Sequence, residues 1–215
     1  MSLPPDVRAV VIDLYDTLVY VALPPKEEQL TTLLGVSEDV LMRGFAATGP
    51  TRWAGGYGSA DADMAATVKA CGLEHEGAFI RELTARNIAA WAGRTCWFDD
   101  AVPVLTELRA RGYRTAVISN CDHRTRPAVA LADYVDAVIL SVDVRVAKPQ
   151  AEIYAMALER LDVEPTRAVF VDDHVEYCAG AKAIGMSAFL IDRAGRHACP
   201  PPGADGVIRG LRELL

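Results

Sequence analysis

Five short segments, 8–13, 113–119, 135–140, 168–172 and 187–191, are dominated by Val and Ile and barely alternate with polar residues. Strands covered on both faces have this look, so the pattern predicts a parallel sheet. Between them the period lengthens to that of a helix. Asp100 is placed to cap a helix with Pro103 in its first turn and Gly112 as its stop, and Val104, Leu105 and Leu108 share one face. A second helix follows Lys148-Pro149 and puts Ile153, Ala157 and Leu161 on one stripe. A third puts Val175, Ala179 and Ala183 on one stripe and stops at Gly185. Strands alternating with helices from about residue 100 onward predict βαβ units with right-handed crossovers.

The region between the first two strands reads differently. Helical stretches are expected near 26–34, 37–47, 60–71 and 75–91, with a glycine-rich loop over 48–59 and no strand. This predicts a helical insertion over 21–95, entered through Leu23-Pro24-Pro25 and left through Gly93 to Cys96. Residues 1–20 and 96–215 then form one α/β core. A Pro-rich loop at 199–202 precedes a last helix expected near 205–214.

The chain has 215 residues, 51% hydrophobic and 24% charged, enough for a core that needs no staple. Its net charge of -7 disfavours non-specific nucleic-acid binding. The five cysteines are scattered, odd in number and without a C-x-x-C, which argues against a disulfide framework and a zinc site. The apolar run from Val7 is broken by Arg8, Asp13 and Asp16, so neither a signal peptide nor a membrane span is expected. A cytoplasmic protein is the default reading.

In an open parallel sheet, sites form at the carboxyl ends of the strands. Here those ends carry Asp13, Tyr15, Asp16 and Thr17; then Ser119 and Asn120; then Lys148; then Asp172 and Asp173. Any one of these residues is a plausible turn or helix cap. Four polar sets in order, each at its own strand end, are hard to explain as caps alone.

Residues 10–18 (VVIDLYDTL), 117–120 (VISN), 146–149 (VAKP) and 170–173 (FVDD) resemble the motifs of the haloacid dehalogenase-like superfamily. Residues 98–103 (FDDAVP) and 180–186 (GAKAIGM) are also similar. The resemblance covers 7–20 and 96–195. It implies a doubly wound core with the sequential strands in the order 5-4-1-2-3, a helical cap, and Asp13 as a carboxylate nucleophile.

A carboxylate that attacks phosphorus or carbon splits one hard step into two. Lys148 would offset charge. Ser119, Asn120 and Thr17, with backbone N–H groups at a helix start after Ser119, would bind phosphate oxygens. Asp13, Asp172, Asp173 and the Tyr15 carbonyl would hold Mg²⁺, Asp173 as direct ligand and Asp172 one shell out.

The chain departs from the phosphatase pattern at Tyr15, where phosphatases of the superfamily carry an acid–base Asp. An ordinary phenol, pKa about 10, is a poor proton donor near neutrality. Asp16 stands where that pattern has glycine. Tyrosine at position 15 is what the dehalogenases show, yet they lack an acidic pair like Asp172-Asp173, and this chain has His174 and Tyr177 where they have Asn and Asp. The expected activity is a Mg²⁺-dependent phosphatase for a small phosphorylated metabolite. The alternatives are a 2-haloacid dehalogenase and a catalytically weak phospho-ligand-binding module. Arg43, Arg52, Trp53 and Tyr57 in the insertion, and Asp122, His123 and His174 in the core, are weaker candidates for the site; His75 and His197 read as surface residues.

Overall fold

The computed structural model describes residues 3–127 and 129–215. Eight strands and eight α-helices are assigned in it. The core strands are β1 (Ala9–Asp13), β4 (Arg114–Ser119), β5 (Ala137–Leu140), β6 (Ala168–Asp172), β7 (Ser187–Ile191) and β8 (Gly206–Ile208). They form one parallel sheet in the order β5-β4-β1-β6-β7-β8. The first five keep the expected order. β1 lies at the centre, so Asp13 pairs with Ile118 on one side while Val11 and Ile12 pair with Phe170 and Val171 on the other. All five residues of β1 are buried.

Each face of the sheet has its own apolar layer, as a doubly wound sheet requires. On one, Val10, Ile12, Val117 and Val171 meet Val104, Leu105 and Leu108 of α5 (Ala101–Ala110). On the other, Val11, Ile118 and Phe170 meet Ile153, Ala157 and Leu161 of α7 (Ala151–Leu161) and Cys178 of α8 (Val175–Ala183). A four-residue helix, α6 (Ser141–Val144), follows β5.

The insertion holds α1 (Leu30–Leu34), α2 (Glu38–Trp53), α3 (Ala60–Ala70) and α4 (Gly77–Trp91). Leu30, Leu41, Met64, Val68, Ile80 and Leu83 form an apolar cluster of their own there.

Several local expectations are corrected. The segment 205–214 is not a helix but β8 followed by a 3-10 turn, Leu211–Leu214. The insertion is not free of strand at its edges: β2 (Val19–Val21) and β3 (Thr95–Trp97) pair antiparallel where it leaves and rejoins the core. α2 runs on through Pro50 to Trp53 instead of ending in a loop at Thr48. Helix 26–34 is split into a 3-10 turn, Lys26–Glu28, and α1. On α8 the buried residues are Cys178 and Ala181, while Ala179 and Ala183 are exposed; alanine covers too little area to choose a face. Asp100 occupies the N-cap position, but its carboxylate receives Arg193 and the Leu211 N–H instead of capping α5.

Candidate active site

The carboxyl ends of β1, β4 and β6, with the loop before α7, bring four of the expected residues together. Asp13 ends β1 and Asp172 ends β6, side by side through the strand register. Lys148 reaches between them. Its ammonium donates to Asp13 Oδ1 and, at 2.6 Å, to Asp172 Oδ2. All three are buried, Lys148 only 3% exposed. The ammonium also lies 4.7 Å from the centre of the Tyr177 ring, an arrangement that favours a cation.

Burial pushes Asp13 up to about 7; Asp172 and Asp173 push the same way, and Lys148 opposes them. Burial works to neutralise Lys148 too, but Asp13 and Asp172 outweigh it and hold the ammonium well above its ordinary value. Asp173 is less buried and receives His174 Nδ1 at 2.9 Å. His174, 3.7 and 2.9 Å from the carboxylates of Asp172 and Asp173, is pushed up to about 10 by them.

Ser119 ends β4 fully buried, and its Oγ has no hydrogen-bond partner among the described residues; the same holds for Thr17 Oγ1. Buried hydroxyls without partners are costly unless something meets them. Asn120 does something other than expected. Its side chain takes the Lys148 N–H at 2.9 Å and gives its amide to the Lys148 carbonyl at 3.0 Å. It therefore fixes the lysine backbone.

No α-helix starts between Ser119 and β5 among the described residues, which removes the helix-start N–H groups from the expected phosphate cradle. A loop over 121–127 follows instead. Asp122, buried at its base, accepts the N–H groups of Arg124 and Thr125 and the Thr125 hydroxyl. Asp122 and His123 thus organise a loop, not a helix cap.

The Tyr15 hydroxyl donates to the Thr125 carbonyl at 2.8 Å, and burial, with Cys121, Asp122 and Asp13 nearby, holds its pKa above the ordinary phenol value. Asp16 next to it takes a left-handed backbone, φ 59°, and is raised by burial and by Asp173.

Among the insertion candidates, Arg52 is buried and pairs with Asp122. Arg43 is exposed, and neither it nor Trp53 nor Tyr57 lines the cavity beside the site. His123 pairs with Asp63, His75 is exposed, and His197, half-buried, donates its backbone N–H to Asp192.

That cavity, about 510 Å³, lies between the core and the insertion. Tyr15, Asp16 and Asn120 border it on the core side, and Val21, Ile88 and Trp91 on the other. The sequence reading missed these apolar residues. Ile88 and Trp91 stand three apart in the last turn of α4, where Trp91 continues the line of Ile80, Thr84 and Asn87 and Ile88 flanks it; an apolar face that runs on to the end of the helix was the available signal.

The donor set suits a hard divalent cation. Asp172, Asp173 and His174 present ligand atoms within 4.8 Å of one another. Carboxylate oxygens are the ligands such an ion takes. Asp13, Asp172 and Asp173 also carry more negative charge than Lys148 offsets, and the two neighbouring carboxylates add to the effect of burial in raising Asp13.

A family model for haloacid dehalogenase-like hydrolases matches residues 7–185. A phosphatase of Mycobacterium tuberculosis (strain CDC 1551 / Oshkosh) is 35% identical over 122 residues, 54% of each chain. (S)-2-haloacid dehalogenase 1 of Pseudomonas sp. (strain CBS-3) is 33% identical over 103 residues, 46% of this chain and 45% of its own. The chain thus spans about half the length of these two relatives. A solved structure of a HAD phosphatase from Thermococcus onnurineus superposes with a TM-score of 0.64 at 28% identity, covering 96% of this chain and 95% of that one. The match across the core motifs and the sheet order agree, and the chain belongs to the haloacid dehalogenase-like hydrolases.

Proposed function

We propose that this hydrolase is a Mg²⁺-dependent phosphatase for a small phosphorylated metabolite, working through an aspartyl-phosphate on Asp13. The observation that carries the reading is the surplus of carboxylate around Asp13. Asp172 and Asp173 both add to its negative surroundings, and one lysine cannot offset all three. A haloacid dehalogenase has no use for that surplus, because halide leaves without a proton or a metal.

Asp13 Oδ attacks phosphorus, the bond from phosphorus to the leaving oxygen breaks, and water later cleaves the acyl phosphate and restores the carboxylate. Ser119 Oγ and Thr17 Oγ1, buried and without partners among the described residues, would donate to the phosphoryl oxygens. Lys148, its backbone held by Asn120, would share its ammonium between Asp13 and the incoming phosphate. Asp13, Asp173 and the Tyr15 carbonyl would hold Mg²⁺, with Asp172 one shell out, bonded to Lys148 and to the His174 N–H. When bound, the cation supplies positive charge at the transferring phosphoryl group. The insertion, 21–95, would act as a cap over the site, the core being 1–20 and 96–215; its separate apolar cluster supports this division. All five cysteines are free, which suits a reducing cytosol.

The test is a panel of phosphate monoesters and a 2-haloacid, each with Mg²⁺ and with EDTA, on the wild type and on Asp13→Asn. Mg²⁺-dependent phosphate release that falls by several orders of magnitude in Asp13→Asn is expected, as is a higher melting temperature with Mg²⁺. Halide release unaffected by EDTA, with no phosphate release, would overturn the reading.

A further inference from the structure

The cavity beside Asp13 is two-faced, and its composition narrows the substrate. Tyr15 and Asp16 lie two and three residues past the nucleophile and Asn120 is next to Ser119, so the leaving group of an ester attacked by Asp13 would lie in this cavity. The opposite wall is Val21 from β2 and Ile88 and Trp91 from α4. Ile88 is 42% exposed, a large apolar side chain left in contact with water at the cavity.

Two arginines, Arg124 and Arg126, also border the space, each already paired with a carboxylate: Arg124 shares Asp122 with Arg52, and Arg126 has Asp143. Arg124 Nη2 bonds Asp122 at 2.9 Å, and Arg126 grips both oxygens of Asp143 at 2.8–2.9 Å. Asp16 adds a carboxylate to the same lining. A leaving group with its own anionic substituent would meet the Asp16 carboxylate and compete with Asp122 and Asp143 for the two guanidiniums. A polyol would leave hydroxyls facing Val21, Ile88 and the Trp91 ring, a wall that offers no acceptor and at most the one indole N–H.

We propose that Val21, Ile88 and Trp91 form a specificity wall selecting phosphate monoesters whose leaving group is an uncharged, ring-sized apolar moiety. This rests on the phosphatase reading and names the substrate class for the same site. The volume falls in the range of small-molecule sites, and apolar walls of this kind discriminate by contact area.

The experiment compares benzyl phosphate with glycerol 3-phosphate. Both release alkoxides, so apolarity and not leaving-group chemistry separates them. The wild type should prefer benzyl phosphate in kcat/KM by about tenfold or more, and Trp91→Ala and Ile88→Ser should each reduce that ratio by about tenfold. Ile88→Ser changes an exposed position, so it keeps the test sound if Trp91→Ala folds poorly. A ratio near one in the wild type, or a ratio that neither variant changes, overturns the proposal. Benzylphosphonate and 3-hydroxypropylphosphonate binding, by calorimetry on the wild type and Ile88→Ser, gives an arm independent of turnover. Equal binding of the two sinks the wall. Selective benzylphosphonate binding that Ile88→Ser weakens, with no ester hydrolysed, keeps the wall and sinks the phosphatase reading alone.

Discussion

Asp122→Asn probes the seam between the insertion and the core. Asp122 sits on the core loop after β4, 1% exposed, and receives Arg52 from α2 and Arg124 from its own loop. Arg52 is itself tied to Thr48 Oγ1 at 2.9 Å and to the Phe45 carbonyl at 3.0 Å. Burial alone would raise the Asp122 carboxyl, but Arg124 and Arg52 outweigh it and hold it below the ordinary carboxylate value. The amide keeps the shape and removes the only charge that both buried guanidiniums touch. Breaking a buried pair in this way costs about 3–5 kcal/mol. At roughly 2–4 °C per kcal/mol for a chain of this size, the melting temperature should fall by about 6–20 °C.

The sign with pH follows from the depressed folded value. The carboxylate's stabilisation is complete above its unfolded pKa, about 3.9, and is lost as pH falls through the lower folded value. The gap between wild type and variant, read by calorimetry from pH 8 to pH 3, should stay flat to about pH 5 and close only below about 4. A second cycle with Arg52→Met should show coupling, the double variant losing less than the sum. A variant melting within about 1 °C of wild type, or a gap that closes between pH 5 and 7, would refute the argument.

Two further expectations are independent of that seam. Because the Tyr15 proton is given to the Thr125 carbonyl and burial raises its pKa, Tyr15 should not protonate the leaving group. Phosphatase rate should then fall steeply as leaving-group pKa rises; a flat dependence at a chemistry-limited rate would show that another group, Asp16 first, supplies the proton. Gly180 on α8 is there for space: a Cβ would sit 2.8 Å from both the Pro149 carbonyl and the Tyr154 hydroxyl. Gly180→Ala should cost about 1–3 kcal/mol and lower kcat by shifting the Lys148-Pro149 segment, and an unchanged melting curve with unchanged kcat would contradict this.

The buried strands were legible because residues covered on both faces must be apolar throughout, and the Val and Ile runs of β1, β4 and β6 say so directly. Asp13, Ser119, Lys148 and Asp172 were legible as charged or polar residues that end or follow such runs. β8 was not, because three residues at a sheet edge make no periodic pattern. The extension of α2 was hidden by Gly49 and Pro50, which argue locally for a loop. What holds that turn is Arg52 on Asp122, seventy positions along the chain, and no local rule reports a partner so distant. The Asp63–His123 contact was hidden for the same reason.

The grip of Asn120 on Lys148 is made wholly to the main chain. Any residue but proline at position 148 can keep both of those bonds. Placement of the backbone and the charge it delivers are therefore separable quantities in this enzyme. A series at 148, from lysine through methionine to alanine, would vary charge and reach at a fixed point in space, with the rest of the site as its own reference. Asn120→Asp does the reverse: it keeps the ammonium and sets a carboxylate oxygen against the Lys148 carbonyl. Comparing the two series would measure how much of the rate comes from where the cation is and how much from its being there at all.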